Sequence, residues 1–216
     1  MTLDMEDLLN SIVDSVERID CIKLDDIPDI DLYMDQVTTL IDGKLRSTTR
    51  NPGDDKILTK TMINNYTKND LLPPPIKKKY SKEHVLLLIF TYYFKSMLSI
   101  NDIQTMLAPV IEGYYDGKGA LTLEEIYKEI FSMEREQVKI LQDDVVERYN
   151  RAKQTFVNEK EEDKEILQRF SFLCMLCFDV FTKKLMMEKI VDGMMSEQKA
   201  KEEKDKEKKE NHRHTS

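Results

Sequence analysis

Three consecutive prolines, Pro73-Pro74-Pro75, interrupt the chain near its middle third. Each lacks an amide donor and fixes its backbone angle, so no helix crosses this point and the segment runs extended. On both sides apolar residues recur at steps of three and four, the period of a helix with one buried face. Only 6 glycines and 6 prolines occur in 216 residues, so turns are scarce and long helices are favoured over many short strands. The expected fold class is all-α, broken by one extended connector.

The helices can be placed in turn. Residues 4–20 carry Met5, Leu8, Leu9, Ile12, Val16 and Ile19 on one stripe. A second helix is expected from about Ile30 to Asp42, with Ile30, Tyr33, Val37, Leu40 and Ile41 apolar. Asp29 or Asp31 would cap it and Gly43 would form its exit. Leu45 to Lys56 reads as a loop with a turn signal at Arg50-Asn51-Pro52-Gly53-Asp54. A short helix follows over Lys60 to Lys68, capped by Thr59. Beyond the prolines, Ser81 caps a helix that is apolar from Val85 to Phe94 in almost every direction and is expected at the centre of the core. Ser99 with Asp102, and Thr122 with Glu125, open two more helices. The stripe after Thr122, running to Phe156, fits one long helix or two. Residues 158–165 are nearly all charged and mark a surface turn or exposed helix end. A last helix over about 164–194 is apolar on most sides between Phe170 and Phe181. It is expected to be buried, within the domain or against a partner. The Lys/Glu-rich tail from Ser196 is either disordered or a solvated helix extension.

Charge is unevenly spread. Residues 1–42 carry 2 basic and 12 acidic side chains, residues 43–82 carry 10 and 3, and residues 83–216 carry 21 and 26. A basic island of forty residues thus sits in a chain of net charge −8. Such an island either attracts a polyanion or neutralises the acidic N-terminal segment inside the fold. No apolar run approaches the ~20 residues of a membrane span. The start of the chain is acidic, unlike a secretory or mitochondrial signal. Three cysteines give no disulfide framework. A soluble, cytoplasmic protein is the expectation.

The island contains the strongest constellation, Leu58 to Leu107. A short polar helix fits a DNA major groove about 12 Å wide, and a Lys-rich connector can follow the neighbouring phosphates. These residues resemble the winged helix-turn-helix of MerR-type (mercury-resistance-regulator) transcription factors. The matching positions are Tyr66, Leu71, Leu72, Pro73, Pro74, Tyr80, Ser81 and Ile103. The stretch from Ile27 to Leu107 also resembles a bacterial group, domain of unknown function family 1836, which brings no biochemistry with it. Thr61 and Asn64 stand where the MerR-type family commonly has Arg, and the connector Leu45 to Lys56 is much longer than its usual tight turn. The base contacts are therefore not carried over. By their chemistry, Asn64 and Asn65 suit adenine edges, while Lys60, Lys68, Lys77, Lys78 and Lys79 suit phosphates. Arg46, Arg50, Thr59, Thr61, Tyr66 and Tyr80 complete the candidate DNA-contacting set.

Other patterns read more plainly. Cys174 and Cys177 share a helix face but have no nearby His, so they are expected in the core. Tyr114 to Glu125 imitates a calcium loop, yet Tyr114 and Lys118 occupy positions that need oxygen ligands. His84, in the first turn of its helix, is expected to face solvent. Met186, Met187, Met194 and Met195 suit core first and an adaptable interface or ligand pocket second. No Gly-rich phosphate loop, G-x-S-x-G or HExxH is present, and the reading is of a protein that is not an enzyme and needs no metal or cofactor.

Four segments follow: an acidic N-terminal helix (1–26), a winged helix-turn-helix (27–112), a helical domain for dimerisation, effector sensing or both (113–195), and the charged tail (196–216). The function expected is transcriptional regulation, with a homodimer on palindromic double-stranded DNA and an unidentified small-molecule effector. The alternative is a protein-interaction module that docks an acidic partner on the basic face.

Overall fold

The computed structural model describes residues 5–17, 22–51 and 53–213. Ile19 of the first stripe and Pro52 of the turn signal lie outside them. The described chain is mostly helical, with a minimal two-stranded sheet. Its helices are α1 (Met5–Glu17), α2 (Met34–Leu45), α3 (Lys60–Lys68), α4 (Lys82–Phe94), α5 (Ile100–Tyr114), α6 (Leu123–Ser132), α7 (Glu134–Lys153) and α8 (Glu161–Arg213). The strands are β1 (Leu32–Tyr33) and β2 (Lys79–Tyr80), paired antiparallel with Leu32 opposite Tyr80.

Two hydrophobic clusters organise these elements. The larger runs from Ile22 to Tyr127 and encloses α4, whose residues from His84 to Thr91 are all buried. An evenly apolar helix has no face to offer water, so α2, α3, α5, α6 and β2 wrap around it. This core takes in Leu123 and Tyr127 of α6, and so extends past residue 112, the boundary expected from sequence. The Tyr127 hydroxyl donates to the Ile22 carbonyl at 2.5 Å and ties the two ends of the unit together. The smaller cluster joins α1, α7 and α8 through Met5, Tyr149, Ala152 and Phe172. The acidic N-terminal helix therefore packs with the C-terminal helices.

Local signals set several helix starts as expected. Thr59 Oγ1 accepts from the Met62 amide at 3.1 Å, Ser99 Oγ from Asp102 at 3.2 Å, and Thr122 Oγ1 from Glu125 at 3.1 Å. The stripe after Thr122 resolves into two helices, α6 and α7. The α2 expectation needs correction at both ends. Pairing of β1 with β2 keeps Leu32 and Tyr33 extended, so the helix starts at Met34 and Tyr33 caps it, donating its amide to Gln36 Oε1 at 2.8 Å. Ile30 and Tyr33 are exposed. Gly43 does not end the helix, because Leu45, one turn beyond Ile41, is still buried in the core.

Three further corrections concern burial. His84 is buried, not solvent-facing. Its Nδ1 accepts the Ser81 amide at 3.0 Å, which gives α4 a capping box with imidazole in place of carboxylate. The Tyr115 hydroxyl lies 3.1 Å from Nε2, and the Tyr80 and Tyr115 rings pack edge-on against it. Cys174 and Cys177 are exposed on α8, not core. Phe170, Phe178 and Phe181 on the same helix are also exposed, contrary to the burial expected there. The Lys/Glu tail continues α8 as far as Arg213. In the loop that imitates a calcium site, Gly119 is required by packing: a Cβ there would lie 2.5 Å from the Tyr114 ring and 2.7 Å from the Gly113 carbonyl. Among the described residues no cluster of three His, Cys, Asp or Glu is placed to hold a metal. Among them, too, no helix is long and apolar enough to cross a membrane.

Two outcomes are expected. Leu87→Ala opens a cavity against α4's neighbours and lowers unfolding free energy by about 2–5 kcal/mol in denaturant titrations. Burial holds the His84 pKa below its ordinary value, against the carbonyls of Pro74 and Pro73 and the Asp31 charge, which pull it up. The folded imidazole thus takes a proton at lower pH than the unfolded one. Its contribution is complete above about pH 6.5 and is lost as pH falls through the folded pKa. Tm measured from pH 7.5 to 5 falls more steeply in the wild type than in His84→Gln.

Candidate nucleic-acid interface

α3 has two chemically distinct sides. Ile63 and Tyr66 point into the large core, while Lys60, Thr61, Asn64, Asn65 and Lys68 are exposed. The steps 60-64-68 and 61-65 place these five polar side chains on one face. No acidic residue lies in α3. Thr59, half-buried, caps the helix, and its hydroxyl is committed to the Met62 amide. Tyr66 is part of the core, and burial raises its hydroxyl pKa. Tyr80 is buried likewise, next to His84. Neither ring is offered to a ligand; both hold the surrounding backbone in place.

The extended segment after α3 leads to a hairpin. Ile76 and Lys79 exchange backbone hydrogen bonds of 3.1 and 2.9 Å, leaving Lys77 and Lys78 exposed at the turn. Both lysines are in the left-handed region, with φ of 51° and 65°. This is the conformation of a type I′ hairpin turn, which Asn-Gly adopts most readily. An ordinary side chain there costs roughly 1–2 kcal/mol. Two lysines are thus held at the tip in a turn that other residues would form more easily. Lys79 stacks over the Tyr33 ring, with Nζ 5.4 Å from its centre, on the β1 side of the hairpin.

The other basic residues divide. Arg46 is half-buried and structural: it pairs with Asp42 and donates Nη1 to the Asp55 carbonyl at 2.7 Å, which pins the long connector. Arg50 is exposed on that connector. Three lysines meet the acidic segment: Lys44 pairs with Asp26 at 2.6 Å, Lys60 with Asp35, and Lys82 with Asp29 and Glu124. The Lys44 ammonium holds the Asp26 carboxyl below its usual range. The Lys60 pair is well exposed on both sides, where such contacts contribute only about 0–1 kcal/mol. Phosphate can compete for it.

Sequence reading did not find Lys95. Its ammonium donates to the Ile57 carbonyl at 2.6 Å and lies over the Tyr92 ring, and burial lowers its pKa. It fastens the end of the connector just before α3. Nothing in its local sequence indicates this, because the partner carbonyl is 38 residues away.

The acidic N-terminal helix does not cover this surface. α1 lies on α7, with Gln142 Nε2 donating to the Val13 carbonyl at 3.5 Å. Of the N-terminal carboxylates, Asp26 and Asp29 ahead of α2 and Asp35 and Asp42 within it pair with the basic island.

The model of the family described as "Domain of unknown function (DUF1836)" matches residues 22–131. No curated protein and no solved structure matches the chain. The matched segment coincides with the larger cluster, from Ile22 to Tyr127, together with Phe131 packed against it. The unit that carries α3, the hairpin and the buried α4 makes this chain a member of the DUF1836 family.

Proposed function

We propose that the family unit is a MerR-like winged helix-turn-helix, and that the protein is a transcriptional regulator binding palindromic double-stranded DNA as a homodimer. α2 and α3 are the two helices of the motif, α3 enters the major groove, and the hairpin is the wing. The observation that carries this reading is the outer face of α3. It presents amides and lysines without a single carboxylate, in a protein that is acidic overall. Asn64 and Asn65 suit the paired donor and acceptor of adenine, and Lys60 and Lys68 suit phosphates at either end. Lys77 and Lys78 reach the backbone from the wing, and Lys79 and Arg50 add charge beside it. α1, α7 and α8 supply dimerisation and the site for a small-molecule effector. No catalytic role is proposed.

The pairing of Lys44, Lys60 and Lys82 with aspartates supports a second reading, in which the basic face docks an acidic protein. Salt titration of binding to mixed duplex DNA separates the two. Phosphate binding gives a steep loss of affinity with salt. Absence of binding at low salt, by a chain shown to be folded, excludes the DNA reading.

The wing gives a sharper expectation. The double variant Lys77→Asn, Lys78→Gly relaxes the turn and raises Tm, yet weakens DNA binding on every sequence and lowers the salt slope by about two. Asn65→Ala instead loses about 1–3 kcal/mol on the preferred site and relaxes specificity there. Gel-shift or anisotropy titrations, beside thermal melts, read both.

A further inference from the structure

α8 has two apolar sides between Ile166 and Phe181. The inner side meets α7: Phe172 packs edge-on against Tyr149, Asp179 pairs with Arg148 at 3.3 Å, and Gln168 donates to the Lys153 carbonyl at 2.8 Å. The opposite side holds Ile166, Phe170, Leu173, Cys177 and Val180, all exposed. Their steps are four, three, four and three, the spacing of a coiled-coil seam. Phe178 and Phe181 widen it. The six large apolar side chains of this side are 55–71% exposed. Side chains of this class bury about 150–250 Å² each when aromatic, so on the order of 600 Å² of apolar surface is uncovered. That reaches the size of the largest patches on ordinary monomers and approaches the ~800 Å² per partner of a stable interface.

Charge selects the occupant. Glu161, Glu162, Asp163 and Glu165, with Lys164 among them, give the end before the seam a negative balance, and Lys183 and Lys184 lie just after the seam. Asp163 and Lys184 continue the seam spacing at its two ends. A second copy laid antiparallel brings each acidic end against the other's lysines, and a parallel copy sets like against like. Within the helix Lys183 pairs with the half-buried Asp179, Lys184 with Glu188, Glu161 with Lys164 and Glu165 with Arg169. Surface pairs of this kind contribute about 0–1 kcal/mol each and can be exchanged for contacts across the interface.

We infer that the outer face of α8 is the homodimer interface, with two copies packed antiparallel about a two-fold axis next to Leu173 and Cys174. It is an isologous contact in which Ile166 meets Phe181 of the second copy and Phe170 meets its Cys177. This specifies the partner in the dimer proposed above, but it is measured without DNA, so either reading can fail while the other stands.

Light scattering on the full chain is expected to give twice the 25.4 kDa of one chain. Leu173→Glu places a charge on a surface already exposed in the single chain. It is expected to give a monomer with unchanged helix content by circular dichroism. Reversing Lys183→Glu and Lys184→Glu weakens the dimer at least tenfold, and adding Glu162→Lys and Asp163→Lys in the same chain restores it. For orientation, Cys21→Ser is combined with either Cys177→Ser or Cys174→Ser and the chain is oxidised. Chains keeping Cys174 link rapidly. Chains keeping Cys177 link slowly, because its copies lie about 10 Å apart along the axis. A monomeric wild type, or a Leu173→Glu chain that keeps the dimer mass, overturns the proposal and leaves the face to a different protein. Faster linking through Cys177 overturns the antiparallel arrangement.

Discussion

A helix with apolar side chains in nearly every direction must be enclosed, and the geometry of the family unit follows from enclosing α4. One turn of shielding on each side requires several elements at once, and α2, α3, α5 and α6 supply them. α3 is held to this core by two buried side chains, Ile63 and Tyr66, with Met62 packed beside them. That is enough for a nine-residue helix, because the remaining side chains need not be dry. The same division that anchors α3 leaves its polar face free for a ligand. Fold and candidate site thus come from a single constraint.

The segment that precedes α2 does more than neutralise charge. Asp26, Asp29 and Asp35 are placed against Lys44, Lys82 and Lys60 by the β1–β2 pairing and the start of α2. These pairs trim the basic island at its edges and leave its centre, Lys68 with Lys77 and Lys78, exposed. Part of the basic island is therefore compensated internally, and part is displayed on the surface.

Much of the architecture was legible because its causes are local. The caps at Thr59, Ser99 and Thr122 use residues three positions apart, and the two sides of α3 follow from helical period alone. What escaped depends on partners far along the chain. Leu32 is extended because Tyr80 lies opposite, and His84 is buried because Tyr115 closes over it. Lys95 and Arg46 look like surface cations until the carbonyls they hold come into view. Tyr66 and Tyr80 belong to the expected contact set, but both are buried and serve packing in this chain. The outer side of α8 reads in sequence as buried because hydrophobicity reports a need for cover without saying where the cover comes from.

α8 also touches the family unit directly. Val191 is buried, Met187 packs against the large core, and Gln198 Nε2 donates to the Thr105 carbonyl of α5 at 3.3 Å. One unbroken helix of 53 residues thus links α7 to α5, and the stretch between its attachments at Gln168 and Gln198 spans roughly 45 Å. An α-helix resists bending, so it behaves as a strut between its two attachments. A small tilt at the α7 end becomes a displacement of several ångströms where α5 is fastened, so the stiffness of a single rod governs how the two clusters of this chain are set apart.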